Sequence, residues 1–593
     1  MPRKENPPVP DTMVKLFTVT NRYADGSKCY LSDLTCPHPS YLQTVSNNAH
    51  YKAIHYFFKA KTIPDPSIPK TFPAAIILPE WKEAIDIERD NFEKFSSLEI
   101  VERPQHEKLF FIPLMWLFNI KTDGRKKARL VGCGHLMKPG RDFDPDQVYC
   151  GNISAVGIKI VLRLAAIYNL KMKGGDLTGA YLVTRSDPKF TTYIKTPQGY
   201  EIPDGYVLKA SGNLYGLPPA GRNFSLEFDR CVHECHYKST PWDLKLFYKW
   251  IDNKPIFLMA RWFGSEEHIS EWDVLVATFV RHGYSVKDCT EAEFVGIRIS
   301  CDAEGNYYMD QTRMLDNIVK EANMSGAKDE HLPYPMEGVS LSKADNATPD
   351  NKSQCDQFPY RKYIGMLMYC LVHTGVLYMY AINVLSRYCN NPGPRHIQHL
   401  KHLLRYIKYT KCDRLMFHRY TGPMDWKSIP AHTQLRFKCD ADLAGNLDNR
   451  HSQTSFIGYL AGDVICYGST DQGSISTSTA ESEIKAVNYT LKAELIACRG
   501  ILNTIGFTQE QTPIEEDNQA CVYASNHEHM TRNLRHLDLS EMWLKEKVAD
   551  KTCILVKVDS KVNTADIGTK RVDNPLFTNL TNPIVDRTLR KNL

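Results

Sequence analysis

No apolar run in the 593-residue sequence approaches the roughly 18 residues that a membrane span needs. The opening residues Met1-Pro2-Arg3-Lys4-Glu5-Asn6 are not followed by the apolar core of a signal peptide. Membrane partners and secretion are therefore set aside. The 17 cysteines show no repeated spacing, which excludes a disulfide framework and points to reduced thiols in a cytoplasmic or nuclear setting. Short-period repeats are missing too, so a solenoid is not indicated. Nor does one sign of charge dominate. Lys plus Arg number 73 against 68 Asp plus Glu, a net charge of +5 that leaves nucleic-acid binding undecided.

What is present reads as an ordinary globular protein, with 42% hydrophobic and 24% charged residues, long enough for several domains. Residues 1–74 are mostly polar, with Pro64, Pro66 and Pro69, and read as a leader of undetermined structure. From Pro79 a helix opens, with Trp81, Ala84, Ile85, Glu88 and Phe92 at helical spacing. Strands are expected at Leu109–Ile112 and Trp116–Ile120, before the basic run Arg125-Lys126-Lys127-Ala128-Arg129. An apolar helix covers 155–170, and Asp176 follows it. The strands Leu246–Trp250 and Pro255–Ala260 flank Asp252-Asn253 as a hairpin. Residues 338–358 read as a polar surface linker, and helices fill 360–410.

After Pro430 the pattern becomes strand-strand-strand-helix-strand-helix-strand. Gln434–Asp440 alternates strictly, placing Leu435, Phe437 and Cys439 on one face and Asp440 on the other with Arg436 and Lys438. Ser478-Thr479-Ala480-Glu481 forms a capping box for a helix with the stripe Ile484, Val487, Leu491, Leu495 and Cys498. Glu481 and Glu483 flank that stripe at similar angles, and spacing leaves open which one points into a site. A strand around Ile514 ends at Asp517, and a last strand, Cys553–Val558, leads to Asp566. Acids at strand ends and a helix start can converge on one sheet edge, where they need cations to stay ionised together.

Asp440-Ala441-Asp442-Leu443-Ala444-Gly445, Ser478–Glu483, Asp517-Asn518-Gln519 and Ala565-Asp566-Ile567-Gly568-Thr569-Lys570 resemble the ribonuclease H region of Ty1/copia retrotransposon Pol polyproteins. Leu534–Leu539, with His536, continues the match; His536 itself reads as structural. The resemblance implies that Asp440, Glu483, Asp517 and Asp566 hold two Mg²⁺ ions and cut the RNA strand of an RNA–DNA hybrid.

The likeness extends upstream over most of 75–430. Lys127-Ala128-Arg129 resembles the strand whose cations, Lys127 and Arg129, approach the incoming triphosphate. Gly175-Asp176-Leu177-Thr178-Gly179-Ala180-Tyr181 resembles the first palm motif, implying Asp176 as a metal ligand and Tyr181 as the ring that excludes a 2′-hydroxyl. Leu214–Arg222 resembles the template and nucleotide segment, which carries Gly216 and Arg222. The departure lies in the second palm motif. Where the family has Asp-Asp at a tight turn, this chain runs Leu258-Met259-Ala260-Arg261-Trp262-Phe263. Glu266-Glu267 are displaced from the turn, and Asp176 is left without its partners for binding two metals.

The expected architecture is multidomain α/β and α+β: a right-hand polymerase with fingers, palm and thumb, a helical connection, and a C-terminal ribonuclease H-like α/β domain. The expected boundaries are 75–300 for fingers and palm, 301–430 for thumb and connection, 431–572 for the ribonuclease H-like domain, and 573–593 for a tail. No aspartic-protease or integrase zinc segment is evident, so the chain reads as the C-terminal part of a retroelement polyprotein or a stand-alone remnant. The expected function is a disabled polymerase with a competent Mg²⁺-dependent ribonuclease H. RNA–DNA hybrid or other nucleic acid would be its partner, along with an active polymerase subunit in an oligomer. The alternatives are a non-catalytic nucleic-acid-binding scaffold, or an active reverse transcriptase whose missing residues are a gene-model error. Cys231-Val232-His233-Glu234-Cys235-His236 invites a zinc reading, but its spacing lacks a second half and it reads as a helix end. Tyr307-Tyr308 reads as packing.

Overall fold

A computed structural model describes residues 67–592 apart from 106–107, 122–123, 260, 291–292, 339, 423–432 and 527–537, together with a short pairing of Asn21–Arg22 with Lys28–Cys29. Most of the leader, His536 and most of Leu534–Leu539 lie outside the described residues. The architecture is mixed α/β, and among the described residues no helix is long and apolar enough to cross a membrane.

The first large sheet is ordered Leu98–Glu102, Tyr206–Ala210, Tyr193–Lys195, Phe111–Ile120, Lys126–Gly132. Phe111–Ile120 is one strand where the sequence suggested two. Helix Pro79–Lys94 lies against it, burying Trp81, Ala84, Ile85, Glu88 and Phe92, the stripe expected from their spacing.

A second five-stranded sheet is ordered Lys238–Thr240, Asp243–Ile251, Lys254–Leu258, Trp262–Gly264, Lys171–Lys173. Its hairpin turns at Asp252 and Asn253, both with positive φ (48° and 60°), as a two-residue turn matching strand twist requires. Helix Ala155–Ile167 buries Gly157 through Ile167 without a polar face. It packs against strand Asp463–Asp471, so the middle of the chain and its C-terminal third share one hydrophobic core. Arg163 crosses that junction: its Nε lies 3.0 Å from the Asp463 carboxylate, both side chains being about as buried as their apolar neighbours. His418 Nδ1 sits 2.6 Å from the same carboxylate.

The 338–358 segment is not a linker. Ser342 caps a helical turn, Lys343–Asp345, and Thr348 caps helix Pro349–Asp356, with Pro349 in the first turn where its missing N–H costs nothing. Polar composition reflected capping, not looseness. Nor does the segment after 572 trail away. Helix Asn574–Thr581 packs down, and Val585–Asp586 pairs with Arg414–Phe417 in a sheet that also contains Arg298–Cys301 and Tyr307–Asp310. Tyr307 and Tyr308 are both buried there.

The C-terminal sheet is ordered Asp463–Asp471, Gln453–Leu460, Leu435–Asp442, Thr512–Glu516, Cys553–Lys557. The first three strands are antiparallel and the last two run parallel to Leu435–Asp442. A helix covers one face: Thr479–Thr490, a π-turn at Leu491–Leu495, and Ile496–Thr504. Parallel order brings the ends of Leu435–Asp442 and Thr512–Glu516 to the same edge, which positions the site.

Candidate metal centre

At that edge Asp440 closes strand Leu435–Asp442, Glu516 and Asp517 close Thr512–Glu516, Glu483 projects from the first turns of the covering helix, and Asp566 sits in the helical turn Thr564–Gly568. Asn563 fixes that last turn: its Oδ1 accepts from the Ala565 N–H, and its Nδ2 donates to the Cys439 carbonyl at 2.9 Å. One oxygen each from Asp440, Asp517 and Asp566 lie within 4.8 Å of one another, and the same holds for Glu483, Glu516 and Asp517. Asp517 belongs to both sets.

Asp440 lies opposite the apolar face, as the alternation requires, but it is not open to solvent. At 3% exposure it is covered by the Asp566 turn, by Thr569, whose hydroxyl donates to its carboxylate, and by Lys570 at 3.8 Å. The open question between two glutamates is resolved by hydrogen bonding. Glu481 accepts from the Thr477 N–H and hydroxyl, both at 2.8 Å, and pairs with Lys485 at 2.8 Å. Despite burial, those bonds hold its carboxyl down at about 2. Glu483 instead faces Glu516 and Asp517.

The electrostatics are those of a site short of cations. Burial, then the charges of Glu516, Asp440 and Asp517, push Glu483 well above the usual carboxylate range. Burial raises Glu516 to about 8, and burial with the Asp440 charge raises Asp566 to about 7. Asp440 is raised as well, by burial foremost, with Lys570 opposing. Lys570 lies 3.0 Å from Asp566 and is the ammonium the cluster leans on. Two oxygens, Glu483 Oε2 and Asp566 Oδ1, are buried with no hydrogen-bond partner. An all-carboxylate donor set with orphaned oxygens fits a hard divalent cation such as Mg²⁺.

Sequence reasoning missed three members. Glu516 was legible, since alternation in Thr512–Glu516 puts it on the same side as buried Ile514. Lys570 stands one helical turn after Asp566 in a quoted motif, and Thr569 beside it, yet neither was given a role. Their signal is the i,i+4 spacing to an acid.

The surroundings of Asp176 differ. Gly175–Thr178 pairs with Ser285–Asp288, and the exposed Asp176 stands opposite Lys287. Asp288 is opposite Gly175 and so points to the other face. Strands Lys254–Leu258 and Trp262–Gly264 pair through Leu258↔Trp262, and the Met259 N–H donates to the Arg261 carbonyl at 2.9 Å across the tip. Trp262↔Lys173 sets that tip beside Gly174, where a Cβ would stand 2.7 Å from Arg261 Cδ. Buried Arg261 thus fills the space over Gly174, two residues before Asp176. Glu266 and Glu267 follow Gly264, which pairs with Lys171 at the far end, where Glu266 lies 3.7 Å from Lys171 and Glu267 2.5 Å from Lys254. They do not approach Asp176, and among the described residues no metal-ligating group collects around it.

The other upstream residues form one neighbourhood in part. Arg129 lies over the Tyr215 ring (5.4 Å), and Tyr181 meets Tyr215 edge-on at 5.5 Å. Burial, then Arg129, lowers Lys127, while Asp176 opposes the shift. Gly216 (φ 85°) presses on Gly132, a contact no side chain would allow. Arg222 is spent on structure, donating to Gln147 Oε1 at 2.7 Å and to the Tyr149 carbonyl at 3.3 Å.

Residues 95–336 match the family described as reverse transcriptase (RNA-dependent DNA polymerase). The chain is 27% identical over 530 residues to the retrovirus-related Pol polyprotein from transposon TNT 1-94 of Nicotiana tabacum, covering 87% of this chain and 39% of that one. It is 25% identical over 541 residues to the corresponding polyprotein from transposon RE1 of Arabidopsis thaliana, covering 87% and 34%. Against the transposon Ty1-JR2 Gag-Pol polyprotein of Saccharomyces cerevisiae it is 23% identical over 511 residues, covering 82% and 27%. The chain therefore spans well under half the length of these relatives. Among solved structures it is similar to a foamy viral protease-reverse transcriptase in complex with RNA/DNA hybrid, at 13% identity and a TM-score of 0.38, covering 81% and 54%.

Proposed function

We propose that this chain, which matches the reverse transcriptase family over residues 95–336 and is similar to retrotransposon Pol polyproteins, cleaves the RNA strand of RNA–DNA hybrids while its polymerase region no longer copies nucleic acid. In this reading 431–572 is a ribonuclease H-like domain, 75–300 the fingers and palm, and 301–430 the thumb and connection. The observation that carries it is the contrast in carboxylates: an inward-facing set with two orphaned oxygens at one edge, a single exposed Asp176 opposite Lys287 at the other.

Asp440, Glu483, Asp517 and Asp566 would hold two Mg²⁺ ions. When bound, such ions polarise the scissile phosphate and supply an activated water. The protein's own part is positioning. Asn563 and the Thr569 hydroxyl set Asp566 and Asp440, and Lys570 balances charge until a cation or a phosphate arrives. Glu516, behind Glu483 and fully buried, accepts from the Cys439 thiol (3.2 Å) and the Asn518 N–H (3.0 Å), holding the turn that presents Asp517. Upstream, Lys127, Arg129 and Tyr181 would contact nucleic acid, and the duplex would be gripped by shape and backbone charge.

The test uses the full chain with Mg²⁺ and a hybrid labelled on its RNA strand. RNA cleavage without primer extension on a primed template is the expected result. A chain that binds the hybrid but never cuts it would leave the nuclease reading without support and favour a scaffold.

A further inference from the structure

Cys231–His236 does not form a metal site on its own. His233 Nδ1 donates to the Tyr237 carbonyl at 2.9 Å, and the Cys235 thiol to Thr278 Oγ1 at 3.3 Å. The fold gives Cys231 other neighbours. On helix Ala220–Glu234, Glu227, Cys231 and Glu234 fall at i, i+4 and i+7 on one face. His282 stands at the C-terminal end of helix Ser270–Arg281, which packs alongside. One donor atom each from Glu227, Cys231 and His282 lie within 4.8 Å of one another. The second half that the spacing lacked arrives from another helix.

The imidazole is already arranged as a ligand. His282 Nε2 lies 2.8 Å from Glu234 Oε2, which makes it the protonated nitrogen. Nδ1 lies 2.9 Å from an Arg230 guanidinium nitrogen, whose N–H it accepts, so the lone pair is on Nδ1, the atom facing Glu227. A carboxylate behind a ring whose other nitrogen carries the lone pair is the usual support of a metal-ligating histidine. Arg230 pairs with Glu227 as well, so a cation lies across the donor set. Its side chain is more than half exposed and can swing out into solvent.

We propose that Glu227, Cys231 and His282 Nδ1 form a Zn²⁺ site with its fourth position open to water, and that Glu234 orients the imidazole. Thiolate, imidazole and carboxylate together select zinc over Mg²⁺ or Ca²⁺, which prefer oxygen alone. On loading, a sulfur–zinc bond forms, the thiol proton leaves to solvent, and Arg230 yields its place. Burial first, then Glu227, raises the Cys231 thiol to about 11, so zinc affinity rises with pH. The site ties together two helices on the sheet that carries the shortened hairpin, and it shares no residue with the acid cluster.

The experiment titrates the metal-stripped full chain with Co²⁺, and with Zn²⁺ against a chromogenic chelator. One equivalent should bind with a sulfur-to-cobalt charge-transfer band. Cys231→Ser should remove the band, and Cys466→Ser should keep it, since Cys466, Glu494 and Cys498 form the other thiol-bearing cluster. Glu234→Gln should weaken zinc about 10- to 100-fold, and His282→Ala by more. Arg230→Ala should tighten it several-fold by removing the resident cation. Arg230 is exposed and His282 half-buried at a helix end, so circular dichroism of those variants separates lost binding from lost folding. Absence of the band in the parent chain, its persistence in Cys231→Ser, or unchanged zinc affinity in folded His282→Ala would overturn the site.

Discussion

Two strands in this molecule carry an aspartate in a motif that resembles a Pol metal-binding motif, and they differ in what stands opposite. Asp440 meets acids from three other segments, and the ammonium paired with these carboxylates, Lys570, reaches across from one helical turn beyond Asp566. Asp176 stands opposite Lys287 across the strand pair, and Arg261 fills the space over Gly174 two residues before it. In the first place positive charge is in deficit; in the second a fixed positive charge, Lys287, already stands opposite. Metal competence is thus a property of convergence. An aspartate in the right motif is insufficient, because one exposed carboxylate is adequately solvated by water.

The comparison can be broken most severely at the acid cluster. Asp517→Asn removes the carboxylate common to both donor sets, and hybrid cleavage should fall by about 10²–10³-fold or more with the fold intact. A rate assay beside circular dichroism checks this; a fully active Asp517→Asn chain would mean that any cleavage arises elsewhere. Next comes the joint between the regions. Arg163→Ala leaves Asp463 buried without its guanidinium and should cost about 3–5 kcal/mol in denaturant unfolding.

Third is pH. Glu483, Glu516 and Asp566 have folded-state pKa values raised above their unfolded ones. Their contribution is fully present below about 4, the unfolded carboxylate range, and is lost as pH rises through about 7 to 8. The metal-free chain should therefore melt at lower temperature at pH 8 than at pH 5, and Mg²⁺ should restore most of the difference at pH 8. A melting temperature indifferent to Mg²⁺ at pH 8 would count against the charge deficit. The smallest effect is Glu481→Gln, about 1–2 kcal/mol from lost capping bonds, with hybrid cleavage retained. Glu481 has the opposite sign: its depressed pKa contributes above about 4.5 and is lost as pH falls toward 2.

Local periodicity carried much of the fold. The alternation of Leu435–Asp442, the stripe of Pro79–Lys94 and the Asp252-Asn253 turn are short-range patterns, and each lies where its pattern put it. The 338–358 segment misled because capping residues and linker residues are the same residues. In the candidate site, the motifs located Asp440, Glu483, Asp517 and Asp566, and the structure gathers all four. What they could not convey is depth. Glu516 and Lys570 matter through neighbours distant in sequence, and so does the approach of Arg261 to Gly174. The pairing of Cys231 with His282 is likewise set by helix packing across about fifty residues, which no spacing rule encodes.

Helix Ala155–Ile167 has no solvent face, and one side of it is strand Asp463–Asp471. Cutting the chain near 430 would not release a self-sufficient acid domain, because the severed piece would expose apolar surface and strand Asp463 without Arg163. The upstream region therefore serves as foundation whatever it catalyses. Substitution there is bounded by that duty: the exposed surface can vary, but the buried helix beneath it cannot.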